Sequence, residues 1–575
     1  MIELVPSHKG APMTGQTDRT ASAVFFEPPA PGHWELETSH HGLRPLTPFL
    51  REAYRGSFES GIGEPLQRYG LPLATVEARF VQGCLYMRPL AIGERPGSTP
   101  KAPPPAFVMK LITRLHPELR RRAKTAARAF EQRTWRQEVD QWFDHDRATQ
   151  RDRNLALQAV DPGTLDDPEL AAHVAACLAH FERSARRNLA THGGDLVPSG
   201  DLLAHCDAWG INANDAMGLL TGSSPATVET AKMLQPVARA VRERNGTEPL
   251  LSVDDVRALG SEVRAVIDAW LELHAWRTIT SDDIDRPTLA ETPALQLAAL
   301  LAASADVEFG EPDVAAVRTR VPADQRALFD ELVVEARYGH RQRDDIRGLC
   351  WNWPAGLVRR ALLEAGRRLH ATGRLHDIAH VVELFPDELD RLLRADLANG
   401  AGGPTADDLA DRAAERDHIE ATPPPRTLGE SEEAPSLDVF PPALARMTAA
   451  LMISLTADTT PPPQEGGDPS VVSGVGIGTT AYRGRACVIR DLMLTFDELQ
   501  PGDVLITPIT GPSANSLLPV VGALVVEEGG PVCHAAIAAR EFGITAVIGA
   551  QGATTRIPHG AQVEVDPERG TVRVV

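Results

Sequence analysis

The sequence predicts a multidomain protein in which a mostly α-helical central domain precedes a C-terminal α/β domain. Its 575 residues exceed the usual size of one domain. From about residue 107 to 455 the chain is rich in Ala, Leu, Arg and Glu. Apolar residues recur there at three- and four-residue spacing, as in Pro168–His192, which is typical of amphipathic helices. Near the C-terminus, short β-branched runs flank an Ala-rich segment, a pattern that predicts strand, helix, strand.

Composition changes divide the chain further. Residues 1–30 are polar and rich in Pro and Gly, which predicts a flexible arm. Residues 31–455 form the helical region, and Ala74–Leu90 alternates apolar and polar residues around a glycine, which predicts a β-hairpin near 74–90. Residues 456–473 are Pro-rich and predict a semi-rigid linker, although an ordinary interdomain connection would have the same composition. The C-terminal domain is expected at 474–575.

Charge and cysteine usage limit the function classes. The formal net charge is -20, which argues against a nucleic-acid partner. No apolar run reaches membrane-spanning length, and the N-terminus lacks the pattern of a secretory signal. The six cysteines form no CxxC pair and stand near no histidine at zinc-ligand spacing. We therefore expect no metal site, no membrane association and a cytoplasmic location with free thiols.

The stretch from Gly529 to Ala550, GGPVCHAAIAAREFGITAVIGA, has the most informative spacing. Gly529 and Gly530 predict a turn, and a helix should then run from near His534 to a left-handed residue at Gly543. Unpaired backbone N–H groups and the positive end of the helix dipole gather at a helix start, where they suit an anion and keep an imidazole neutral. His534 is thus a candidate nucleophile for phosphorus. A lone histidine at a helix start is, however, more often a cap or a surface residue.

These residues resemble the signature of the swivelling phosphohistidine domain of the PEP-utilising enzymes, which include phosphoenolpyruvate synthase and rifampin phosphotransferase. The shared pattern is two glycines, Ser/Thr/Cys before His, small residues, Ala-Arg-Glu and Gly-Ile. The resemblance implies that His534 carries the phosphoryl group and that Cys533 fills the Ser/Thr/Cys position. It extends over about the last 105 residues, including Pro501–Pro519 and a closing hairpin at Gly560–Val574. Thr545 departs from the pattern, since the family usually has proline there.

Other residues near this signature are candidates for binding the phosphate. Those in or beside the turn are Gly529, Gly530 and Cys533, and those in the preceding loop are Thr507, Thr510 and Ser513. The loop hydroxyls are as readily explained as solvated side chains. Arg540 follows His534 by six residues, nearly two helical turns. A contact with the domain's own loop or with a partner's nucleotide is therefore as plausible for Arg540 as a contact with the phosphate.

The helical region resembles the substrate domain of rifampin phosphotransferase, but in patches. The similar segments are Pro31–Leu50, with its Trp-Glu-Leu and Arg-Pro-Leu-Thr motifs, and His274–Pro293, Gly366–Leu393 and Asp411–Gly429. No strand–helix alternation of the TIM-barrel type is visible. The PEP-utilising enzymes that this chain resembles bind pyruvate or phosphoenolpyruvate on such a barrel, so the resemblance implies that the acceptor here is a different molecule. No ATP-grasp domain is visible either. The resemblance therefore implies a separate ATP-grasp partner that binds ATP and Mg and charges His534, with no cofactor on this chain.

Two functions of different classes fit these features. The first is a phosphotransferase component that passes a phosphoryl group from His534 to a hydroxyl of a small molecule. The alternative is a regulatory or binding protein that keeps the fold without the chemistry, and the intact histidine and glycines favour the enzyme. Polar islands between apolar helices supply the candidates for the acceptor site, although each is more often a helix cap or an ion-pair member: His274, Asp282, Asp283, Glu291 and His340. The sequence identifies neither the acceptor nor the oligomeric state.

Overall fold

The structure is a computed structural model, and it describes residues 24–38, 44–100, 104–244, 250–279, 283–302, 312–394, 403–430, 436–458, 460, 471–490, 498–511 and 518–575. Of the predicted site residues, Asp282 and Ser513 lie outside these ranges, as do most of the predicted N-terminal arm and most of the Pro-rich linker.

Helices dominate the chain up to residue 458. Their bounds are α1 Arg51–Arg68, α2 Ala106–Leu115, α3 Pro117–Gln132, α4 Thr134–Gln141, α5 Arg147–Gln158, α6 Asp167–Ala190, α7 His192–Ala208, α8 Ala213–Gly218, α9 Pro225–Met233, α10 Gln235–Glu243, α11 Val253–Arg257, α12 Ser261–His274, α13 Pro293–Ala302, α14 Val314–Arg320, α15 Arg326–His340, α16 Arg343–Arg347, α17 Trp353–Ala371, α18 Pro386–Arg394, α19 Ala406–Glu420 and α20 Pro442–Asp458. None of the described helices has the length and apolar composition needed to cross a bilayer.

A small antiparallel sheet accompanies these helices. Its strands are β1 Trp34–Leu36, β2 Leu73–Val81, β3 Cys84–Ala91 and β4 Thr427–Leu428, in the order β2-β3-β1-β4. The predicted hairpin is present as β2 and β3, which pair from Leu73↔Ala91 to Val81↔Cys84. Strands β1 and β4 have only three and two residues, too few to produce a recognisable alternation in the sequence.

The main core of the helical region lies between α1, α6 and α17. Four aromatic side chains pack together there, with the Trp351 ring 4.9 Å from Tyr54, 6.1 Å from Phe58 and 5.6 Å from Phe181 in edge-on contacts. Edge-to-face pairs of this kind add to the free energy of burying the rings. Trp351 belongs to a π-helical segment, Gly348–Asn352, directly after α16. The aromatic core thus fixes the position of α16, which contributes to the candidate site.

The C-terminal domain is built on an eight-stranded mixed sheet. Its strands are β5 Val471–Ser473, β6 Val475–Ile477, β7 Tyr482–Val488, β8 Val504–Thr507, β9 Ala523–Val526, β10 Thr545–Ile548, β11 Gln562–Asp566 and β12 Thr571–Val574, in the order β5-β12-β11-β7-β8-β9-β10-β6. Strands β7 to β10 run parallel. Helix α21, His534–Glu541, connects β9 to β10, and a short helix α22, Ala553–Arg556, follows β10.

This domain has the predicted α/β class with the predicted closing hairpin, β11 and β12. The linker differs from the expectation at both ends, because α20 continues to Asp458 and β5 begins at Val471. The additional turn of α20 is accounted for by contacts that the sequence could not reveal: Ser454 Oγ donates to Leu196 O at 2.9 Å, and Ala457 O accepts from Val532 N.

Helices α7 and α20 approach each other so closely that one position tolerates no side chain. A Cβ on Gly200 would lie 1.8 Å from Ala450 O. We expect Gly200→Ala to lower the free energy of unfolding by at least about 1–3 kcal/mol, because the two backbones must separate. Chemical denaturation followed by circular dichroism measures this.

The matched control is Gly218→Ala at the end of α8, where a Cβ would meet nothing within 4 Å. Alanine is the better helix former, so this change should be neutral or slightly stabilising. Equal stability of the two variants would show that α7 and α20 are not packed as described.

Candidate active site

The turn before α21 brings a histidine to the start of the helix. Gly529 has φ +108°, and a Cβ there would lie 2.6 Å from Cys533 Sγ, so glycine is required for the chain to fold back on itself. Gly530 O accepts a hydrogen bond from Cys533 N, which closes the turn. Cys533 occupies the N-cap position with extended backbone, and His534 is the first helical residue. The helix ends before Gly543, whose φ of +64° gives the left-handed end that the sequence predicts.

The candidate threonines come from the neighbouring parallel strand. Thr507 ends β8 and is buried, and its carbonyl accepts from Glu527 N at 3.2 Å. Thr510 follows in the loop, is 5% exposed, and its hydroxyl has no hydrogen-bond partner among the described residues. Because β8 and β9 are parallel, the loops after them meet at one edge of the sheet, the usual ligand-binding edge of such folds. Thr510 therefore remains a candidate for the phosphate site, and its role stays a prediction.

His534 faces the helical region. Its Nδ1 lies 3.6 Å from Oδ1 of Asp344 in α16, and the two side chains are 12% and 6% exposed. This distance is too long for a strong hydrogen bond. The other carboxylate oxygen, Asp344 Oδ2, is buried and has no hydrogen-bond partner among the described residues. The imidazole thus meets a buried carboxylate that retains capacity for a further donor.

Neighbouring side chains keep Asp344 ionised. Burial by itself raises the pKa of the Asp344 carboxyl, but interactions with His534, His340 and Arg343 lower it to about 2. His340, one of the predicted acceptor-site residues, is buried at the end of α15. Burial and the nearby Arg343 lower the pKa of His340 to about 4, so that the ring is neutral near pH 7. His340 thus lies close enough to Asp344 for the two groups to affect each other's pKa.

A second acidic group anchors the other end of α21. Glu541 lies two turns after His534 and so on the same face of the helix. Its side chain is 1% exposed, and Oε1 accepts from Gly222 N at 2.8 Å. Burial raises the pKa of Glu541 to about 7, the nearby Asp344 adds to this shift, and the backbone donors of Gly222 and Ser224 oppose it. Both ends of this helix face are thus held against the helical region.

Arg540 takes part in the contact between the C-terminal domain and the helical region. Its guanidinium donates to Pro531 O at 2.7 Å, within the turn before the helix, and to Asn214 Oδ1 at 2.6 Å in α8. Asn214 in turn donates to Gly476 O at 2.7 Å. These contacts agree with the alternative that assigns Arg540 to the domain's own loop, whereas a contact of Arg540 with phosphate stays a prediction.

The segment around residues 274–291 packs against the C-terminal domain, but its polar side chains have other partners. A Cβ on Gly511 would lie 2.9 Å from Ile279 O, which shows the close approach. Asp283 accepts from Thr47 N at 2.7 Å and from Thr47 Oγ1 at 2.6 Å, and burial with the neighbouring Asp285 raises its pKa to about 6. Asp283 thereby fixes the segment that carries the Arg-Pro-Leu-Thr motif.

The two remaining described candidates of this segment are also engaged. Glu291 accepts two hydrogen bonds of 2.8 Å from Arg359. It also accepts one from the backbone N–H of Thr288, as part of a helix cap. The His274 ring stacks 6.1 Å from Trp270. The contacts of Glu291 are those of the helix-cap and ion-pair alternative, whereas His274 has a ring contact and Asp283 has hydrogen bonds from Thr47. Participation of the three residues in an acceptor site stays a prediction.

Sequence reasoning did not single out Asp344 and Glu541. Glu541 stands in the Ala-Arg-Glu part of the signature, but its partner Gly222 is 319 residues away. Asp344 follows His340 in the polar stretch HRQRDDIR, and only the fold reveals that it faces the C-terminal domain. The acidic residues in this stretch were the available signal, because a carboxylate between apolar helices needs a partner.

Comparison with known proteins assigns the two sides of this contact to two families of domains. Residues 499–570, which include His534, match the mobile domain of the PEP-utilising enzymes. Residues 199–353, which include Asp344 and Gly222, match the fourth domain of rifampicin phosphotransferase.

Among curated proteins, an uncharacterised protein of Mycobacterium tuberculosis is 30% identical over 420 residues, which are 69% of this chain and 44% of that protein. A rifampicin phosphotransferase of Streptomyces sviceus is 27% identical over 386 residues, 63% of this chain and 40% of the enzyme. The phosphoenolpyruvate synthase of Aquifex aeolicus is 37% identical over 109 residues, 19% of this chain and 13% of the enzyme.

The chain spans less than half the length of these relatives. The two matched domains nevertheless meet at the His534–Asp344 contact, and each supplies one of its partners. The chain therefore carries one region similar to the mobile domain of the PEP-utilising enzymes and one similar to the fourth domain of rifampicin phosphotransferase.

Proposed function

We propose that this chain is a phosphotransferase component in which His534 carries a phosphoryl group to a hydroxyl of a small molecule. The observation that supports this most is the position of His534. It is the first residue of α21, follows the glycine turn, and has Nδ1 facing the buried Asp344 carboxylate. Because the carboxylate orients Nδ1, the opposite ring nitrogen, Nε2, is the one we assign as the phosphoryl carrier.

Charging of His534 needs a donor. We assign this step to an ATP-grasp protein or domain that binds ATP and Mg and transfers a phosphoryl group to His534, with release of AMP and phosphate. The family resemblance of the mobile domain supports this assignment. Covalent transfer through a histidine divides one difficult reaction into two easier ones at separate sites. We place the reaction in the cytoplasm, a reducing compartment that fits the thiols buried without a disulfide: Cys84, Cys177, Cys206, Cys350 and Cys487.

Transfer to the acceptor breaks the bond between phosphorus and Nε2. The acceptor oxygen attacks phosphorus from the side opposite Nε2, the P–N bond breaks, and its electron pair returns to the ring. The hydroxyl proton is released to solvent. Asp344 lies at the other ring nitrogen, Nδ1, where we assign it the role of holding the ring in position. Positioning of the two reactants contributes most of the rate in transfers of this kind.

Movement between the two sites depends on release of α21. A phosphoryl group carries close to two negative charges near neutral pH, and in the docked position they would lie beside the ionised Asp344. The charged carrier should therefore dock less tightly than the free carrier.

The carrier assignment can be tested without a partner protein. Phosphoramidate, a small phosphoryl donor, should produce an acid-labile, base-stable phosphate on the peptide that contains His534, located by mass spectrometry under alkaline conditions. His534→Gln should abolish this label, because the amide cannot form a P–N bond of this type.

The matched control is His559→Gln, which removes an exposed histidine of the same domain and should retain the label. An unchanged amount of acid-labile phosphate in His534→Gln would overturn the proposed function.

Docking should depend on pH through Glu541. Its pKa is raised to about 7 in the docked state from an ordinary 4.5, so the docked state binds the proton more tightly. The contribution is fully present below about pH 4.5 and is lost as pH rises to about 7, with an upper limit on the order of 3 kcal/mol. Glu541→Gln should remove this dependence while its amide oxygen still accepts from Gly222 N.

Hydrogen exchange at Gly222, corrected for the intrinsic effect of pH, measures docking directly, because its N–H donates to Glu541. Protection should fall between pH 5 and 7 in the unaltered protein and much less in Glu541→Gln. Glu498→Gln changes an exposed carboxylate of the same domain and serves as control. The same pH profile in Glu541→Gln would contradict the assigned role.

A further inference from the structure

A surface cavity of about 590 Å³ opens beside the C-terminal end of α21. It is lined by the loop that binds Glu541 and by two helices of the rifampicin phosphotransferase-type domain: Gly222, Ser223, Ser224, Pro225, Glu229, Lys232, Val334, Arg337, Tyr338 and Arg341. The volume is that of an ordinary small-molecule site.

Positive charge collects at this cavity without carboxylate partners. Lys232, Arg337 and Arg341 form no ion pair with any described residue, in a chain with net charge -20 where most other arginines are paired. Arg337 donates to the carbonyls of Leu219 and Thr221. The guanidinium of Arg341 lies 5.3 Å from the centre of the Tyr338 ring.

Acidic groups at the rim are already engaged by other residues. Glu229 is the acidic residue of the lining, and its carboxylate accepts a hydrogen bond of 2.5 Å from Arg147. The Tyr338 hydroxyl donates to Asp140. The cavity therefore keeps a positive balance, which favours an anionic ligand.

A buried hydroxyl also lacks a partner there. Ser224 is 2% exposed, and its Oγ has no hydrogen-bond partner among the described residues. Ser224 is the N-cap of α9, yet its side chain makes no capping bond to the helix. Polar groups that are this deeply buried are normally hydrogen-bonded, and the N-terminus of a helix attracts negative charge. The serine hydroxyl and the α9 terminus together provide donors for an oxyanion.

The opposite wall is apolar. Val334 is 55% exposed, unusually high for a large apolar side chain, and the Tyr338 ring lies one turn further along α15. An apolar surface beside fixed polar groups is the usual composition of a small-molecule site. The ligand should therefore combine an anionic group with an apolar, preferably aromatic, body.

The cavity is connected to the carrier helix. Its lining residue Gly222 binds Glu541, and Arg337 lies close enough to lower the pKa of Glu541. His534 is on the same face of α21, about 10 Å along the helix axis from Glu541. The loop that lines the cavity is therefore the loop that holds one end of α21, and His534 lies at the other end of the same helix face.

We propose that the cavity anchors the phosphoryl acceptor, and that the acceptor is a hydroxyl compound with an apolar body and a carboxylate or similar anionic group. This inference rests on the proposed function. Lys232, Arg341 and Ser224 bind the anionic end, Val334 and Tyr338 contact the apolar body, and the hydroxyl receives the phosphoryl group from His534.

The test uses 6-hydroxy-2-naphthoate as a probe and its uncharged amide as a matched control in calorimetric titrations of the full chain. The carboxylate should bind at least about tenfold more tightly than the amide, since hydrogen bonds to charged groups contribute more. Lys232→Gln and Arg341→Gln should each weaken binding of the carboxylate and leave binding of the amide unchanged.

Arg128→Gln removes one positive charge from the exposed face of α3, at a residue that does not line the cavity, and should leave both affinities unchanged. Equal binding of the carboxylate and the amide, or no binding of either at millimolar concentration, would overturn the proposal. The titration involves no phosphoryl group, so its failure would leave the carrier role of His534 intact. Conversely, a His534 that accepts no phosphoryl group would end the proposed function without altering the titration.

Discussion

The contact between α21 and the helical region depends on placing two carboxylates, Asp344 and Glu541, in a buried interface. Each is expensive to bury, and each is stabilised in a different way. Asp344 stays ionised because His534, His340 and Arg343 surround it, whereas Glu541 is held by backbone donors and has a raised pKa. The interface is therefore specific for one orientation of the helix, and it is sensitive to any change of charge at its surface.

This arrangement suits a C-terminal domain that has to separate from the helical region in order to reach a second site. The fixed part of the docking contact consists of hydrogen bonds whose groups keep their charge near neutral pH, such as those from Arg540 to Pro531 and Asn214. The variable part is the charge at His534 and Glu541. A ligand or modification shifts an equilibrium only through a difference between the states. The ionised Asp344 near the phosphorylated residue provides this difference.

The sequence predicted the elements whose pattern is local. The hairpin of β2 and β3 follows from alternation around Gly83, and α21 follows from its glycine turn and the closing Gly543. It did not predict β1 and β4, because strands of three and two residues leave no periodic pattern. The end of α20 was also missed, because Ser454 and Ala457 are held by residues far away in the chain.

The candidate site likewise contains residues that the sequence predicted and residues that it did not. His534 and its glycines were found through a continuous motif. Asp344 was not, since its proximity to His534 arises from packing of α16 against a domain about 190 residues later. Asp283 and Glu291 drew attention as polar residues between apolar helices, but Thr47 and Arg359 account for their burial. A buried acidic residue can have a structural role or a chemical role. Only the groups that it contacts show which of the two roles it has.

The most direct test of this account is the distance between the two domains in solution, before and after His534 is phosphorylated. Fluorophores on non-canonical amino acids at the exposed positions Asp144 and Glu568 leave the native cysteines in place. The account predicts mainly one short, docked distance in the free protein and a shift toward longer distances after phosphorylation, with a smaller shift in Asp344→Asn. An unchanged distance distribution in the fully phosphorylated protein would contradict it.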